Sequence, residues 1–356
     1  MPDHGGVGRS RMQVERHLVF VRLTTPENAV VWIADANGTV VVLHAVIQEA
    51  TRASAGHRGR LRFVNAADSP RALGLTFDRA AEEYEVARPA YPPRLVDRAV
   101  ERAALDGSSR VLEVGCGTGK LTRILVDRGL RVEALDPGAN LIDIARRRLE
   151  ETGIATFHIG RFEDVDLPTD EFDALFSATA FHWVDPAVGW RKAAEVLKAE
   201  GVLALLSYVS VRDELSGAAQ DKFASLLRQQ APNIDWQPFL EPGVLIAGAK
   251  ERSANVSEVW EWVLQGGVRR PPLVRAEAAA LFSAVEVDYE THVVEQGAQE
   301  WARLFRTTAL CHALDPDCRD VVEREAKRMI EDRGGTARSP MAEVMVTAIR
   351  SPNGRV

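Results

Sequence analysis

The stretch "VLEVGCGTGKLT", Val111 to Thr122, constrains this chain more than any other. A short apolar run suited to a strand leads into Gly115, Gly117 and Gly119, and a helix-forming run begins at Lys120. Glycine lacks a Cβ, so glycines at alternate positions let the backbone take positive φ and approach a ligand closely. The helix that follows offers unpaired N–H groups and partial positive charge at its N-terminus. In open α/β sheets the first strand-to-helix turn lies at the crevice beyond the carboxyl ends of the strands. The stretch therefore predicts a wound α/β fold with a ligand at this loop.

The flanking pattern agrees. Strands are predicted at Val111–Val114, Val132–Leu135, Thr156–Ile159, Ala174–Ser177 and Val202–Ser207, separated by helices at Lys120–Asp127, Leu141–Glu150 and Val188–Leu197. Such alternation indicates a parallel sheet covered on both faces. Upstream, "FDRAAEEYEVARPAYPPRLVDRAVERAAL" reads as a short helix, a break at Pro89–Pro93 and a second helix, because proline cannot continue a helix interior. Beyond Tyr208 the chain is mainly helical until two late strand candidates, "AVEVDYETHVV" and "MAEVMVTAI". Residues 1–73 differ: β-branched runs around an Asn37–Gly38 hairpin turn sit among Gly- and Arg-rich pieces that bury little surface. They are expected to form a poorly ordered N-terminal extension, a stretch upstream of the true translation start, or a small regulatory or oligomerising hairpin. The main domain is then 74–356, with 208–275 as a variable insertion on the substrate side.

Composition narrows the function. With 46% hydrophobic residues among 356, the chain can bury a full core. No run approaches the roughly 18 apolar residues of a membrane-spanning helix, and no cleavable leader pattern opens the chain, so a cytoplasmic protein without a membrane partner is expected. A net charge of −7 lacks the basic footprint that nucleic-acid backbones require, which points to small-molecule partners instead. Cys116, Cys311 and Cys318 are odd in number and unevenly spaced, so neither a disulfide framework nor, with His312 and His292 nearby, a zinc site is expected. Homodimerisation is left open.

The glycine spacing discriminates among ligands. A phosphate-cradling loop needs G-x-x-x-x-G-K-[ST], but the residue five before Gly119 is Val114 and Leu121 follows Lys120. A dinucleotide loop needs G-x-G-x-x-G, whereas this chain has G-x-G-x-G with Glu113 two residues before the first glycine, an unfavourable neighbour for pyrophosphate. The second strand ends in "VEALDP", which places Asp136 where a carboxylate can accept hydrogen bonds from ribose hydroxyls. An acid, a glycine loop and a second acid suit a ribose-bearing ligand without phosphates, such as S-adenosylmethionine.

Together, "EVGCGTGKLT", "ALDPGANLIDIARRR", "GRFEDVDLPTDEFDALFSATAFHWVD" and the lid-like "FDRAAEEYEVARPAYPP" resemble a class I S-adenosylmethionine-dependent methyltransferase. Within that family the chain is similar to the branch that includes trans-aconitate methyltransferase-like enzymes. The resemblance implies a Rossmann-like, doubly wound, seven-stranded sheet whose last strand is antiparallel, with a helical cap. It also implies that Gly115, Gly117 and Gly119 line the methionine part of the cofactor, with Glu113 steadying its ammonium, and that Cys116 and Ala178 belong to the cofactor site as well. Asp136 would hold the ribose, Phe162 and Glu163 would flank the adenine, and Tyr84 and Arg88 of the lid would reach the carboxylate. The implied enzyme methylates oxygen or nitrogen of a small molecule, and a catalytically inactive S-adenosylmethionine-binding sensor or partner subunit is the alternative.

Methyl transfer from a sulfonium is an in-line displacement, for which alignment supplies most of the catalysis. An amine or phenol acceptor also needs a proton acceptor, and His182 in "AFHWVDP" is the candidate, beside Trp183. Nucleic-acid amino methyltransferases carry a Pro-Pro pair at this strand end, which "SATAFHW" lacks. Trp236, Trp260, Trp262 and Trp301 either form an apolar substrate pocket or fix the insertion to the core, and Arg269, Arg270 and Arg306 are the candidates for a polyacidic substrate.

Overall fold

The computed structural model describes residues 11–14, 17–25, 28–34, 40–46, 76–79, 81–232, 239–266 and 276–352. The chain divides into two compact units, Met1–Phe63 and Val64–Val356. In the first, β1 (Arg11–Val14), β2 (His17–Thr25), β3 (Asn28–Ala34) and β4 (Val40–Val46) pair in chain order as an antiparallel meander. The sequence pattern marks one hairpin here; the structure has four strands, because β2 and β3 are rich enough in β-branched and aromatic residues to pair on both edges. Ala34 faces Val40 across the hairpin, and the Asn37–Gly38 turn between them lies outside the described residues.

The second unit is built on a seven-stranded sheet. Its strands neighbour one another in the order β10 (Phe282–Gly297), β11 (Thr336–Arg350), β9 (Leu197–Ser210), β8 (Phe172–Ala178), β5 (Arg110–Val114), β6 (Arg131–Asp136) and β7 (Ala155–Ile159). The five strands β5 to β9 are parallel, and β11 runs antiparallel to both β9 and β10. The fold is thus Rossmann-like and doubly wound, with the last strand reversed. Strand order turns back between β5 and β8, and a ligand crevice opens at their carboxyl ends.

Helices cover both faces of this sheet. On one face α3 (Pro93–Arg102), α4 (Lys120–Val126) and α5 (Ala139–Leu149) bury Leu95, Leu125 and Ile142 against Val111 and Phe176. On the other, α6 (Pro186–Val196), α8 (Pro242–Lys250), α9 (Val256–Leu264) and α10 (Ala276–Leu281) bury Trp190, Leu245 and Trp260 against Leu112 and Leu175. The middle strands are covered on both faces, which is why they read as continuous apolar runs. A smaller cluster joins Leu227 of α7 (Gly217–Gln230), Phe305 of α11 (Ala298–Arg306), Cys311 of α12 (Ala309–Ala313) and Val322 of α13 (Pro316–Glu331). No helix among the described residues is long and apolar enough to cross a membrane.

Strands β9, β10 and β11 are longer than the apolar pattern predicts, at 14, 16 and 15 residues. Ladder hydrogen bonds need only backbone, so pairing continues through polar ends such as Glu295–Arg338 that no hydrophobic count detects. Two short helices, α1 (Thr76–Arg79) and α2 (Ala81–Ala87), make up the segment that the resemblance reads as a lid. Asp78 accepts hydrogen bonds from the Asn140 and Leu141 amides at 2.8 and 3.2 Å, satisfying otherwise unpaired N–H groups at the start of α5. Glu85 pairs with Lys120 at 3.3 Å and with Arg148, so the lid is pinned to α4 and α5.

Candidate active site

The glycine loop joins β5 to α4 at the point where strand order reverses. Gly115, Gly117 and Gly119 have φ of 73°, 54° and 80°, the left-handed region that side chains disfavour. Gly115 is needed for a second reason: a Cβ there would lie 2.2 Å from the Ala180 Cβ. A Cβ on Gly117 would meet no atom within 4 Å, because this residue faces an open cavity. The loop is tied to the next strand by the Gly115 amide, which donates to the Leu135 carbonyl at 2.8 Å.

That cavity encloses about 740 Å³, within the usual range for small-molecule sites. Its wall includes Gly115, Gly117, Asp136, Phe162 and Glu163. Tyr84, Arg88, His182, Trp183, Tyr208 and Thr308 line it as well. Ala178, Thr179 and Ala180 also line it, from the carboxyl end of β8. Phe77 closes the lid side, packing edge-on to Tyr84 at 5.8 Å and lying 5.9 Å from Trp183.

Asp136 bridges the loop and the end of β6. Its two carboxylate oxygens accept from the Gly117 amide at 3.0 Å and the Gly138 amide at 2.8 Å. Burial pushes its pKa up to about 6 against the pull of these two amides, so it is still mostly ionised at neutral pH. The Glu163 carboxyl is held below its ordinary pKa despite partial burial, by the Asp185 amide at 2.9 Å and by Arg161 at 2.6 Å. Arg88 donates to the Thr307 hydroxyl and carbonyl at 3.2 and 2.6 Å, and its guanidinium lies 5.4 Å from the centre of the Tyr84 ring.

His182 is exposed on the cavity wall, its ring 4.6 Å from that of Trp183. Desolvation by the protein around it, with the Arg88 charge beside it, lowers its pKa to about 4, so the imidazole is neutral at physiological pH.

Three residues that the resemblance places around the ligand do not line the cavity. Glu113 is 1% exposed behind the loop, and its Oε2 accepts from the Thr122 hydroxyl at 2.6 Å. Burial, reinforced by the nearby Asp136 charge and opposed by Thr122, raises its pKa to about 8. It is a neutral brace beneath the loop, so the expected contact with an ammonium is not formed by this arrangement. Cys116 is buried with its thiol directed to the Gly117 carbonyl, at 3.8 Å. Gly119 is the N-cap that precedes α4, where a Cβ would crowd Leu149 and Ala145.

The aromatic and basic candidates of the C-terminal half are also redistributed. Trp260 is in the core, Trp262 donates to the Leu245 carbonyl at 2.8 Å under Arg252, and Trp301 lines a separate cavity of about 310 Å³. Arg306 is paired with Glu323 at 2.6 Å. Trp236, Arg269 and Arg270 lie outside the described residues. Residues that sequence reasoning passed over, Arg161, Thr179, Tyr208 and Thr308, stand on the cavity wall instead. Tyr208 had a signal in its place near the carboxyl end of a parallel strand; Thr308 had none.

A wound sheet of this order, with a G-x-G-x-G loop at its switch point and an acid ending the next strand, defines a class I methyltransferase. The profile of the methyltransferase-domain family matches residues 112–205. An uncharacterized methyltransferase of Mycobacterium tuberculosis strain H37Rv is 36% identical over 203 residues, spanning 52% of this chain and 79% of that protein. The chain belongs to this family of enzymes, whose methyl donor is S-adenosylmethionine. A malonyl-[acyl-carrier protein] O-methyltransferase of Acetivibrio thermocellus is similar over a shorter stretch, 32% identical over 38% of this chain and 49% of its own length. Among solved structures, one described as a putative type II methyltransferase from Anaeromyxobacter dehalogenans superposes with a TM-score of 0.46 at 22% identity, covering 74% of this chain and 96% of that one.

Proposed function

We propose that residues 74–356 transfer a methyl group from S-adenosylmethionine to an oxygen or nitrogen of a small molecule held in the 740 Å³ cavity. Ionised Asp136 carries the reading, because it stands on the cavity wall with both oxygens anchored to the glycine loop and the β6 end. A carboxylate so fixed accepts from ribose hydroxyls without reorganising. Phe162 is buried in the core, so it braces the wall rather than offering the expected stacking face; Glu163 beside it stands where an adenine would hydrogen-bond, and the open side of Gly117 leaves room for the amino-acid part. The donor, when bound, contributes an electrophilic methyl on a sulfonium.

The chain's own contribution is enclosure and alignment. Tyr84, Trp183 and Tyr208 restrict the acceptor's approach, and Tyr208 and Leu264, both within 208–275, support that stretch as the acceptor-side insertion. His182 contributes a neutral hydrogen-bond acceptor. With a pKa near 4 it is weaker than the proton acceptor sought at that position, and it orients a nucleophile more effectively than it deprotonates one.

Calorimetric titration with S-adenosylhomocysteine tests the reading. The wild-type chain is expected to bind, and Asp136→Ala to weaken binding by about 10- to 100-fold, the loss of hydrogen bonds to a buried charge. Asp136→Ala binding as tightly as wild type would remove the residue from the donor site, and wild-type protein that does not bind would overturn the proposal.

A further inference from the structure

Strand β8 ends at Ala178, and the next residue, Thr179, has φ of 51°. A β-branched side chain is strained in this left-handed region and keeps it only where its surroundings insist. Here they insist from two sides. The Thr179 amide donates to the Leu206 carbonyl of β9 at 2.7 Å, and its Oγ1 hydrogen-bonds the Tyr91 hydroxyl at 3.0 Å. The same Tyr91 hydroxyl is 3.4 Å from the Ala178 carbonyl, which accepts from it.

Tyr91 is itself fixed. It is buried, stacks on Tyr208 with ring centres 5.3 Å apart, and lies next to Ala90, whose carbonyl accepts from the Tyr208 hydroxyl at 2.6 Å. Residues 88–92 join lid helix α2 to α3. One side chain from the root of the lid therefore holds the corner that follows β8.

The corner determines what comes next. Ala180 follows, then a 3-10 turn at Phe181–Trp183 that carries His182 and Trp183 to the cavity wall. Ala180 is pressed so closely on the loop that only a glycine fits at 115. An extended Thr179 would continue the line of β8 and lift Ala180 away from that contact.

We propose that Tyr91 and Thr179 are positioning residues: the Tyr91 hydroxyl holds Thr179 in its left-handed turn, and the turn seats Ala180 on Gly115. The lid's root and the glycine-loop wall of the cavity are thereby set together. The proposal rests on the reading of this cavity as the donor site. It makes a specific demand, because glycine adopts positive φ without an anchor. The Tyr91 hydroxyl should matter when residue 179 is threonine and cease to matter when it is glycine.

A double-mutant cycle in the full-length chain tests this, with S-adenosylhomocysteine affinity measured by calorimetry and the melting temperature recorded beside it. Tyr91→Phe and Thr179→Val are each expected to weaken binding by about tenfold, since each removes the anchor and keeps a strained side chain. In a Thr179→Gly background, Tyr91→Phe is expected to cost less than about twofold. A Tyr91→Phe protein with lowered melting temperature but unchanged affinity would assign the hydroxyl a purely structural part and overturn the proposal. An equal loss in both backgrounds would do the same, by showing that Tyr91 does not act through Thr179. Wild-type protein that fails to bind would overturn the donor-site reading itself, and the proposal with it.

Discussion

Gly115 and Gly117 look equivalent in the sequence and differ in what surrounds them. Both have positive φ, but only at Gly115 does an added methyl collide, 2.2 Å from Ala180. Gly115→Ala is therefore expected to lower stability by about 3 kcal/mol and Gly117→Ala by about 1 kcal/mol, measured by denaturant unfolding. Gly117→Ala should nonetheless lose S-adenosylhomocysteine affinity, since its methyl enters the cavity; equal stabilities for the two variants would contradict the packing at Gly115. His182 gives a second prediction at this scale. With its pKa at about 4, its imidazole resonances should show no titration between pH 6 and 8 and shift only as pH falls toward that value. The signals are assigned by comparison with His182→Gln, and a midpoint near 6.5 would restore His182 as a base.

Helices α1 and α2 act as an element through their few polar attachments. Among the described residues, Glu85 is the one whose side chain joins the lid to both α4 and α5, through Lys120 and Arg148. Single surface ion pairs contribute little to stability, so Glu85→Gln should leave the melting temperature nearly unchanged. The Asp78 contacts to α5 and the Lys120 bond to the Glu85 carbonyl at 2.8 Å remain, so the lid is loosened rather than freed; it should open more often, and S-adenosylhomocysteine should dissociate about threefold faster in stopped-flow measurements. An unchanged dissociation rate would mean that the aromatic contacts of Phe77 with Tyr84 and Trp183 suffice to hold the lid.

For the whole molecule, the proton on Glu113 links stability to pH. The folded carboxyl has a pKa of about 8 against an ordinary 4.5, because burial penalises its charge. The folded state therefore holds a proton that the unfolded chain releases. The resulting stabilisation is complete below about pH 4.5 and is lost as pH rises through about 8. Stability should decline by roughly 2–4 kcal/mol across that window; Asp136, with a pKa of about 6, contributes to the lower part of the slope, so in urea unfolding followed from pH 5 to 8 Glu113→Gln should flatten the decline above about pH 6.5. A slope there that survives the substitution would place its origin elsewhere. The two compact units give a separate expectation, that residues 64–356 bind S-adenosylhomocysteine with full-length affinity in the same titration.

What the sequence by itself determined is local. Alternating glycines demand positive φ at Gly115, Gly117 and Gly119, a strand must precede them and a helix follow, and Asp136 must end the next strand. These requirements are written within some twenty-five residues, so the loop, the wound sheet around it and the class of ligand were legible in advance. The break between α2 and α3 was legible for the same reason, since prolines break helices wherever they stand. Only the tertiary structure decided which side chains reach the cavity. Glu113 sits beside the loop in sequence but turns under it to Thr122, while Tyr208, Leu264 and Thr308 arrive from distant segments. Trp260 could have lined a pocket or filled the core by composition, and the packing of α9 against the sheet buried it. Backbone conformation is set by neighbouring residues, whereas side-chain placement is set by which faces must leave water across the whole molecule, and no short stretch carries that information.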